Sequence, residues 1–184
     1  MERPEGIRVV LSRLKNEPVI ANLGLATFDL FALGDRRSNL YTWGGMGMVS
    51  SIGLGVALAA PERKVIVMDG DGSLLMNLGS LATIARQQPP NLVHIVWDNQ
   101  QWGETGGQPT HTSTGTDLAA VAKGAGIVRV ASVSSLKALE EAVDQAMAED
   151  GPWFIVAKVE EKRRVTRPEV MIEENLVRFR NAFD

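Results

Sequence analysis

The stretch Lys64-Val65-Ile66-Val67-Met68-Asp69-Gly70-Asp71-Gly72-Ser73 decides the fold, because an apolar strand pattern runs directly into an acidic glycine turn. A second apolar strand pattern, residues 91–97, ends in Asp98-Asn99-Gln100-Gln101. Mg²⁺ prefers oxygen ligands in octahedral geometry and usually shares itself with phosphate groups. Asp71 offers a carboxylate oxygen and Asn99 an amide oxygen. These two strand ends therefore predict a magnesium site.

The glycines of the first turn extend this prediction from a metal to a phosphate. Glycine has no Cβ, so the backbone N–H groups around Gly70 and Gly72 can approach a diphosphate closely. An alternative is that both segments are ordinary polar turns after buried strands, since Gly-Asp-Gly is common in surface turns. The context favours the binding site, because a strand pattern precedes the turn and a helix pattern follows it.

Strand and helix patterns alternate along the whole chain. Strands are predicted at residues 18–23, 40–43, 64–68, 91–97, 126–130 and 153–159. Helices are predicted at residues 7–14, 46–60, 74–87, 117–123 and 168–183. Thr116 or Asp117 is expected to cap the helix at 117–123, and a further helix is predicted after a cap at Ser134 or Ser135. Near-continuous apolar strands between helices indicate an α/β fold, a doubly wound, mostly parallel sheet with helices on both faces. Ligands of such sheets bind at the carboxyl ends of the strands, where both polar turns lie.

Length, charge and composition restrict the classes of protein. The 184 residues suffice for one domain, so residues 1–184 are predicted to form a single diphosphate-binding domain. A net charge of −3 argues against a nucleic-acid partner, and the lack of cysteine excludes disulfides and cysteine-bound clusters. No apolar run approaches the roughly 20 residues that span a bilayer. The polar N-terminus does not fit a signal peptide, so a cytoplasmic protein without membrane contact is expected.

The Gly-Asp-Gly turn and the Asn99 strand end, separated by residues 73–98, resemble the motif by which thiamine-diphosphate enzymes bind Mg²⁺ and the cofactor diphosphate. The resemblance implies thiamine diphosphate and Mg²⁺ as cofactors. It implies Asp71, Asn99 and the backbone carbonyl of Gln101 as metal ligands. Asp98, which stands where the family usually has asparagine, is expected to orient the loop. The further cofactor contacts implied by the resemblance are Gly70, Gly72, Ser73, Trp102 and Gly103.

Two other segments resemble the same family. Trp43-Gly44-Gly45-Met46-Gly47 is similar to the segment in which a bulky side chain holds the cofactor folded. The match implies Met46 as that wedge and the Gly44 carbonyl as acceptor from the aminopyrimidine; the alternative is a glycine-rich helix start with a core methionine. Asn22 and Gly24 match a strand end that approaches the diphosphate, although a simple turn is the alternative there.

The loop after the second motif points to a subfamily. Residues 103–110 and 72–79 resemble the decarboxylases of sulfopyruvate and phosphonopyruvate, and Arg167-Pro168 fits their carboxyl end. The resemblance implies a 2-oxoacid decarboxylase for a small anionic substrate, with sulfopyruvate first. Glu104 on this loop is the candidate catalytic acid, and His111 is a candidate substrate contact. His94 is expected in the core, and the charged run 160–167 is expected at a solvated surface or partner contact.

The resemblance also implies a missing half. Thiamine-diphosphate enzymes need a second domain that binds the aminopyrimidine and supplies a glutamate, and this chain shows no pattern for one. A separate pyrimidine-binding (α) subunit is therefore expected, in a hetero-oligomer with the cofactor at the interface. The sequence does not identify the positively charged side chain that binds the anionic group of the substrate; Arg36, Arg37 and Arg86 are candidates by charge alone, and each is expected at the surface.

Three alternatives stay open at this point. The first is another thiamine-diphosphate reaction, such as carboligation or decarboxylation of phosphonopyruvate or another 2-oxoacid. The second is the β subunit of a 2-oxoacid:ferredoxin oxidoreductase, which the absence of cluster cysteines disfavours. The third is a non-catalytic, cofactor-holding subunit, which the intact pair of Asp71 and Asn99 disfavours.

Overall fold

The computed structural model describes residues 1–160 and 167–184. Six strands form a single sheet in the spatial order β2-β1-β3-β4-β8-β7, and each pairing in it is parallel. These strands are β1 (Val19–Asn22), β2 (Asn39–Thr42), β3 (Val65–Gly70), β4 (Leu92–Asp98), β7 (Arg129–Val133) and β8 (Trp153–Lys158). A separate antiparallel pair, β5 (Gln101–Trp102) and β6 (Gln108–Pro109), lies in the loop after β4.

Helices cover both faces of the sheet because its strands are apolar on both faces. The helices are α1 (Arg3–Leu11), α2 (Leu25–Leu33), α3 (Val49–Ala59), α4 (Asp71–Leu75), α5 (Gly79–Gln87), α6 (Leu118–Gly124), α7 (Leu136–Ala148) and α8 (Ile172–Arg180). Alternate residues of β3 enter two different cores. Ile66 packs with apolar residues of α1, α2 and α7, and Val67 with those of α3, α5, α6 and α8. The predicted doubly wound α/β fold is confirmed.

Two helix caps follow the sequence prediction. Asp117 accepts hydrogen bonds from the backbone N–H groups of Ala119 (2.8 Å) and Ala120 (3.1 Å) at the start of α6. Ser135 accepts from the N–H group of Ala138 at 3.3 Å and caps α7. Each cap satisfies backbone donors that have no partner within the helix. Of the alternatives that the sequence left open, Asp117 and Ser135 are the caps.

Two predicted elements are wrong, each for a local reason, and one helix was missed. Residues 126–130 do not form a strand from Gly126, since that glycine has a φ of +104° and closes α6; the strand begins at Arg129. The helix predicted at 74–87 starts at Asp71 and is broken near Asn77, whose side chain donates to the Gly47 carbonyl at 3.0 Å. Helix α2 was not predicted. The other element boundaries differ from the predictions by a few residues.

The first helices and the final helix also shift. Helix α1 starts at Arg3, before residue 7, with Pro4 in its first turn, where the missing N–H group costs nothing. Helix α3 begins at Val49, because Gly47 has a φ of +82° and keeps residues 46–48 in a turn. Helix α8 covers Ile172–Arg180 of the predicted 168–183. In the part of the chain that the structure describes, no helix is long and apolar enough to cross a bilayer.

The sheet order defines where a ligand can bind. The chain leaves β1 for β2 on one side and returns to β3 on the other side of β1. Between the carboxyl ends of β1 and β3 the connections diverge, which opens a crevice typical of ligand sites in doubly wound sheets. Asn22 ends β1 and Gly70 ends β3. The predicted phosphate turn therefore lies at the switch point of the sheet.

Candidate active site

A cleft lies at this switch point, bordered by the ends of β1, β3 and β4. All of the predicted site residues except Gly24 and Gly44 line it. Gly24 lies just outside, beneath the side chain of Glu104, and Gly44 lies on the exposed turn that leads to Met46. The residues that the sequence analysis assembled from four distant segments thus meet in one place.

Asp71 is the most unusual group in the cleft. Its side chain is buried; Oδ2 accepts a hydrogen bond from the Thr110 hydroxyl at 2.5 Å and lies 3.2 Å from the Thr112 hydroxyl oxygen. Burial raises the pKa of Asp71 to about 6, and the charge of Asp98 adds to the rise, while the hydroxyl hydrogen bonds oppose it. Among the described residues, no cationic side chain pairs with Asp71. A buried carboxylate in this state is stabilised by a cation.

The two neighbouring carboxylates differ from Asp71 because each has a basic partner. Asp69 Oδ2 lies 3.2 Å from His94 Nε2, and both residues are buried. Asp98 pairs with Lys158, whose ammonium group donates to Oδ2. The prediction that His94 belongs to the core is confirmed, and its ring packs edge-on against Phe154. Of these three carboxylates, Asp71 is therefore the one without a basic partner among the described residues.

The remaining predicted metal ligands lie together on the turn after β4. The amide oxygen of Asn99 accepts from the backbone N–H group of Gln101 at 3.2 Å, and this closes a local turn. The preceding residue, Gln100, has a φ of +62°, held by hydrogen bonds from its N–H group to Asp98 Oδ1 (3.1 Å) and from Thr110 N–H to its carbonyl (2.9 Å). This fixed turn places Asn99 and Gln101 in the lining of the cleft.

The wall of the cleft next to Asp71 fits an anion. A Cβ built on Gly70 meets only the Asn22 amide nitrogen, at 3.8 Å, so a side chain there would project into open space of the cleft. The buried Asn22 side chain has an amide oxygen without a partner among the described residues. The amide orientation is assigned from hydrogen bonding, so the same position can present an N–H donor. An orphaned amide beside an uncovered glycine suits a phosphate group.

The chemistry of the donors fits Mg²⁺ rather than a softer metal. Asp71, Asn99 and Gln101 supply one carboxylate, one amide and one carbonyl, all oxygen ligands of the kind that Mg²⁺ takes alongside substrate phosphates. Within residues 1–160 and 167–184, no group of three or more His, Cys, Asp or Glu side chains could hold a metal by itself. The cleft thus fits an ion that is completed by a bound diphosphate.

The turn that carries Met46 is tied to the phosphate segment. The N–H group of Gly47 donates to Ser73 Oγ at 3.0 Å, and Asn77 donates to the Gly47 carbonyl. Gly44 and Gly47 both have positive φ values, +74° and +82°. Their conformation turns the chain so that Met46 lines the cleft instead of starting α3. Met46 is therefore a wall residue, half-buried and not part of the core.

The hairpin of β5 and β6 closes over the other side of the cleft. The Trp102 indole donates to the Gly72 carbonyl at 3.2 Å, and a Cβ on Gly72 would lie 2.4 Å from that ring. A Cβ on Gly103 would lie 2.6 Å from Leu25. The Glu104 side chain lies against Gly24, where an added Cβ would be 2.5 Å from Glu104 Cγ. A side chain at any of the three positions would displace its neighbour, and the positive φ of Gly24, +84°, favours glycine there in addition.

The sequence analysis missed several residues of the site. Thr112 and Lys158 hold Asp98, and Thr110 holds Asp71. The five threonines of residues 100–116 were a signal in the sequence, but the sequence does not indicate which of their side chains point into the protein. Arg3, buried at the edge of the cleft and paired with Asp29 at 2.7 Å, had no signal.

The cations proposed by charge lie elsewhere. Arg36 donates to the carbonyls of Lys15 and Glu17, before β1, at the amino ends of the strands. Arg37 donates to the Asn181 carbonyl, and Arg86 is exposed in the last turn of α5. None of the three lines the cleft, so the structure does not support any of these charge-based candidates as the group that binds the substrate anion. His111 packs edge-on against Trp102 at 5.7 Å. Positions 161–166 of the predicted charged run 160–167 lie outside the residues that the structure describes.

Comparison with known proteins places the chain in a family. Residues 24–157 match the model of the thiamine pyrophosphate enzymes' C-terminal TPP binding domain. The chain belongs to this family, and the resemblance predicted from the motifs is confirmed.

Individual relatives narrow the class. The chain is 44% identical over 158 residues to the sulfopyruvate decarboxylase subunit beta of Methanococcus maripaludis, covering 86% of this chain and 84% of that protein. It is 43% identical over 148 residues to the phosphonopyruvate decarboxylase of Streptomyces viridochromogenes, covering 80% of this chain but 37% of that protein. The relatives are decarboxylases of the predicted subfamily.

Solved structures agree on the fold. The thiamine diphosphate-dependent 4-hydroxybenzoylformate decarboxylase of Rhodococcus jostii RHA1 superposes with a TM-score of 0.74 at 21% identity. The match covers 89% of this chain and 33% of the larger one. The chain therefore has the fold of about one third of that enzyme.

Proposed function

We propose that this chain is the diphosphate-binding (β) subunit of a thiamine-diphosphate- and Mg²⁺-dependent 2-oxoacid decarboxylase, with residues 1–184 forming one domain. The observation that carries the proposal is the buried carboxylate of Asp71, which has no cationic partner among the described residues. It lies beside the uncovered Gly70 and the orphaned amide of Asn22. A divalent cation would neutralise the Asp71 carboxylate, and a diphosphate bound to that cation would occupy the space beside Gly70 and Asn22.

Each residue has a defined part in this proposal. Asp71, Asn99 and the Gln101 carbonyl bind Mg²⁺. Gly70 leaves room for the diphosphate beside Asn22, and Gly72, Ser73 and Gly24 contact the cofactor from the neighbouring turns. Met46 and Gly44 orient the rings, while Trp102 and Gly103 close the hairpin side. When bound, thiamine diphosphate supplies a carbon nucleophile and an electron sink for decarboxylation. Glu104, which lies at the rim against Gly24, is proposed to transfer the proton that replaces CO₂.

A separate pyrimidine-binding subunit is proposed to cover the mouth of the cleft. Two methionines near the turn that carries Met46, Met48 and Met76, are 49% and 62% exposed, although such side chains are usually buried. Met76 lies next to Gly47 in the turn that carries Met46. The chain spans most of the relatives named as β subunits but only 37% of the phosphonopyruvate decarboxylase. The division supports a hetero-oligomer in which two chains share one site.

The substrate proposed first is sulfopyruvate, which would give sulfoacetaldehyde and CO₂. Relatives from three methanogens carry that activity in their names, at 42–44% identity. Phosphonopyruvate is the second candidate, because the Streptomyces relatives are 43% identical. Carboligation is supported less, by the large subunit of acetolactate synthase isozyme 2 of Escherichia coli at 28% identity. The cation that binds the sulfonate is proposed to come from the partner subunit, because Arg36, Arg37 and Arg86 lie away from the cleft and Arg3, which lines it, is already paired with Asp29.

The experiment that tests the proposed function uses the chain co-expressed with the pyrimidine-binding subunit encoded beside it. The complex is given sulfopyruvate, phosphonopyruvate and pyruvate with thiamine diphosphate and Mg²⁺, and the aldehyde product is identified. Fastest release of sulfoacetaldehyde supports the assignment. Turnover that survives Asp71→Ala would show that the metal site is wrongly placed and would favour a subunit that only holds the cofactor.

A further inference from the structure

A short network of side chains joins the predicted metal ligand to the loop that follows β4. Each threonine hydroxyl has one proton to donate. The Thr110 hydroxyl donates to Asp71 Oδ2 at 2.5 Å, and the Thr112 hydroxyl donates to Asp98 Oδ1 at 2.8 Å. The two hydroxyl oxygens lie 2.9 Å apart, and Thr112 Oγ1 lies 3.2 Å from Asp71 Oδ2. Two buried carboxylates are thus separated and held by two buried hydroxyls.

The same network holds the turn that carries the Gln101 carbonyl. Asp98 Oδ1 accepts from the Gln100 N–H group as well as from Thr112. The Gln100 carbonyl accepts from Thr110 N–H at 2.9 Å, and the Gln100 side chain donates to the Thr112 carbonyl at 3.1 Å. Gln100 has a positive φ, a conformation that needs such support in a non-glycine residue. The threonines therefore touch the strand-end ligand Asp71 and the two residues, Asp98 and Gln100, that shape the turn leading to the loop ligand Gln101.

We propose that Thr110 and Thr112 are positioning residues that align the Asp71 carboxylate with the Gln101 carbonyl, so that metal binding and the order of the 100–113 loop are coupled. The inference rests on the proposed function, because it takes Asp71 and Gln101 as ligands of the metal. Neither threonine is proposed to contact the metal. Partners that orient ligating carboxylates commonly change metal affinity by about 10–100-fold when they are removed.

The chain offers matched substitutions for a test. Thr110→Val and Thr112→Val keep the shape of the side chain but remove the hydroxyl, and Thr110→Ser keeps the hydroxyl. Thr114→Val is the control, since Thr114 is an exposed threonine of the same loop whose hydroxyl donates to the His111 carbonyl at 3.2 Å. The four variants therefore separate the loss of a buried hydrogen bond from a general effect on the loop.

The probe is Mn²⁺, which replaces Mg²⁺ and whose free concentration is measured by electron paramagnetic resonance. Titrations use the co-expressed complex with saturating thiamine diphosphate. Thr110→Val and Thr112→Val are expected to weaken Mn²⁺ binding by about 10–100-fold, with Thr110→Ser and Thr114→Val within about threefold of the unaltered complex. Amide hydrogen exchange of residues 100–113 with bound metal should rise in the two valine variants and not in the controls.

The outcomes separate this inference from the function on which it rests. Mn²⁺ binding in the unaltered complex together with unchanged binding in both valine variants would overturn the positioning role and leave the proposed function intact. No Mn²⁺ binding in the unaltered complex would overturn both. A valine variant that fails to fold is recognised by its metal-free melting curve, and the other valine variant and the serine rescue then decide the question.

Discussion

Replacement of Asp71 by Asn should stabilise the metal-free chain while it removes metal binding. The substitution keeps an oxygen acceptor for the Thr110 hydroxyl but removes the buried charge. The pKa of Asp71 rises from 3.8 to about 6 in the folded chain, mainly because of burial. At 1.36 kcal/mol for each pKa unit, ionised Asp71 costs the fold about 3 kcal/mol above pH 6. The substitution also removes a favourable interaction between the negative charge and the N-terminus of α4, and this loss offsets up to about 1 kcal/mol of the gain in stability.

The net gain for Asp71→Asn is therefore about 2 kcal/mol at pH 8. In a chain of this size the melting temperature should rise by about 4–8 °C. The sign depends on pH in a defined way, because a raised carboxyl pKa disfavours the fold only where the unfolded chain is ionised. The gap should narrow as the pH falls from 6 and vanish below about pH 4.

Thermal melts in EDTA at pH 8, 6 and 4.5 measure this difference. Asp150→Asn serves as the control, because the Asp150 side chain is 90% exposed and should change the melting temperature little. Added Mg²⁺ with thiamine diphosphate should raise the melting temperature of the unaltered protein and leave that of the Asp71→Asn variant unchanged. If the Asp71→Asn variant is no more stable than the unaltered chain at pH 8, the claim that Asp71 is a buried, uncompensated carboxylate is refuted.

Three further substitutions test other parts of the account. Gly70→Ala should keep the fold or stabilise it by about 0.4–1 kcal/mol, since its φ of −112° suits alanine, yet calorimetry should show thiamine diphosphate binding weakened at least about tenfold. Gly53→Ala should lower the free energy of unfolding in urea by about 1–2 kcal/mol, because the new Cβ would lie 2.1 Å from Val67 Cγ2. The affinity for thiamine diphosphate should stay unchanged in this variant. Glu104→Gln should lower the kcat of the complex by about 100-fold or more with the affinity for thiamine diphosphate retained; an unchanged kcat would show that this carboxylate only packs against Gly24.

The central strands and their polar ends could be predicted because the information is local. Residues 64–73 contain an apolar strand, its acidic end and the glycines that follow, and no distant contact is needed to interpret them. The order of strand and helix patterns then fixed the class of sheet, and the class placed both polar turns at one edge. Asp71 and Asn99 were reached in this way, whereas Met46 was implied only by the resemblance of its segment to the thiamine-diphosphate enzymes.

Other features depend on contacts that the sequence does not display. Helix α2 is apolar almost all round, so it has no helical period to reveal it, and its buried Asp29 pairs with Arg3 from the first helix, a contact that the sequence does not display. Gly126 stood in an apolar run, but its left-handed backbone ends a helix instead of starting a strand. Thr112 turns inward only because the loop folds back to Asp98. Tertiary contacts decide all of these positions.

The most direct test of the central claim is a calorimetric titration of thiamine diphosphate with Mg²⁺ into the purified chain, alone and together with its co-expressed partner. The account predicts weak binding to the chain alone, because half of the cofactor would face water, and tight binding that requires Mg²⁺ in the complex. In the complex, Asp71→Ala should abolish the Mg²⁺-dependent heat. Failure of the complex to bind thiamine diphosphate, or binding that is indifferent to Mg²⁺ and to Asp71, would contradict the account.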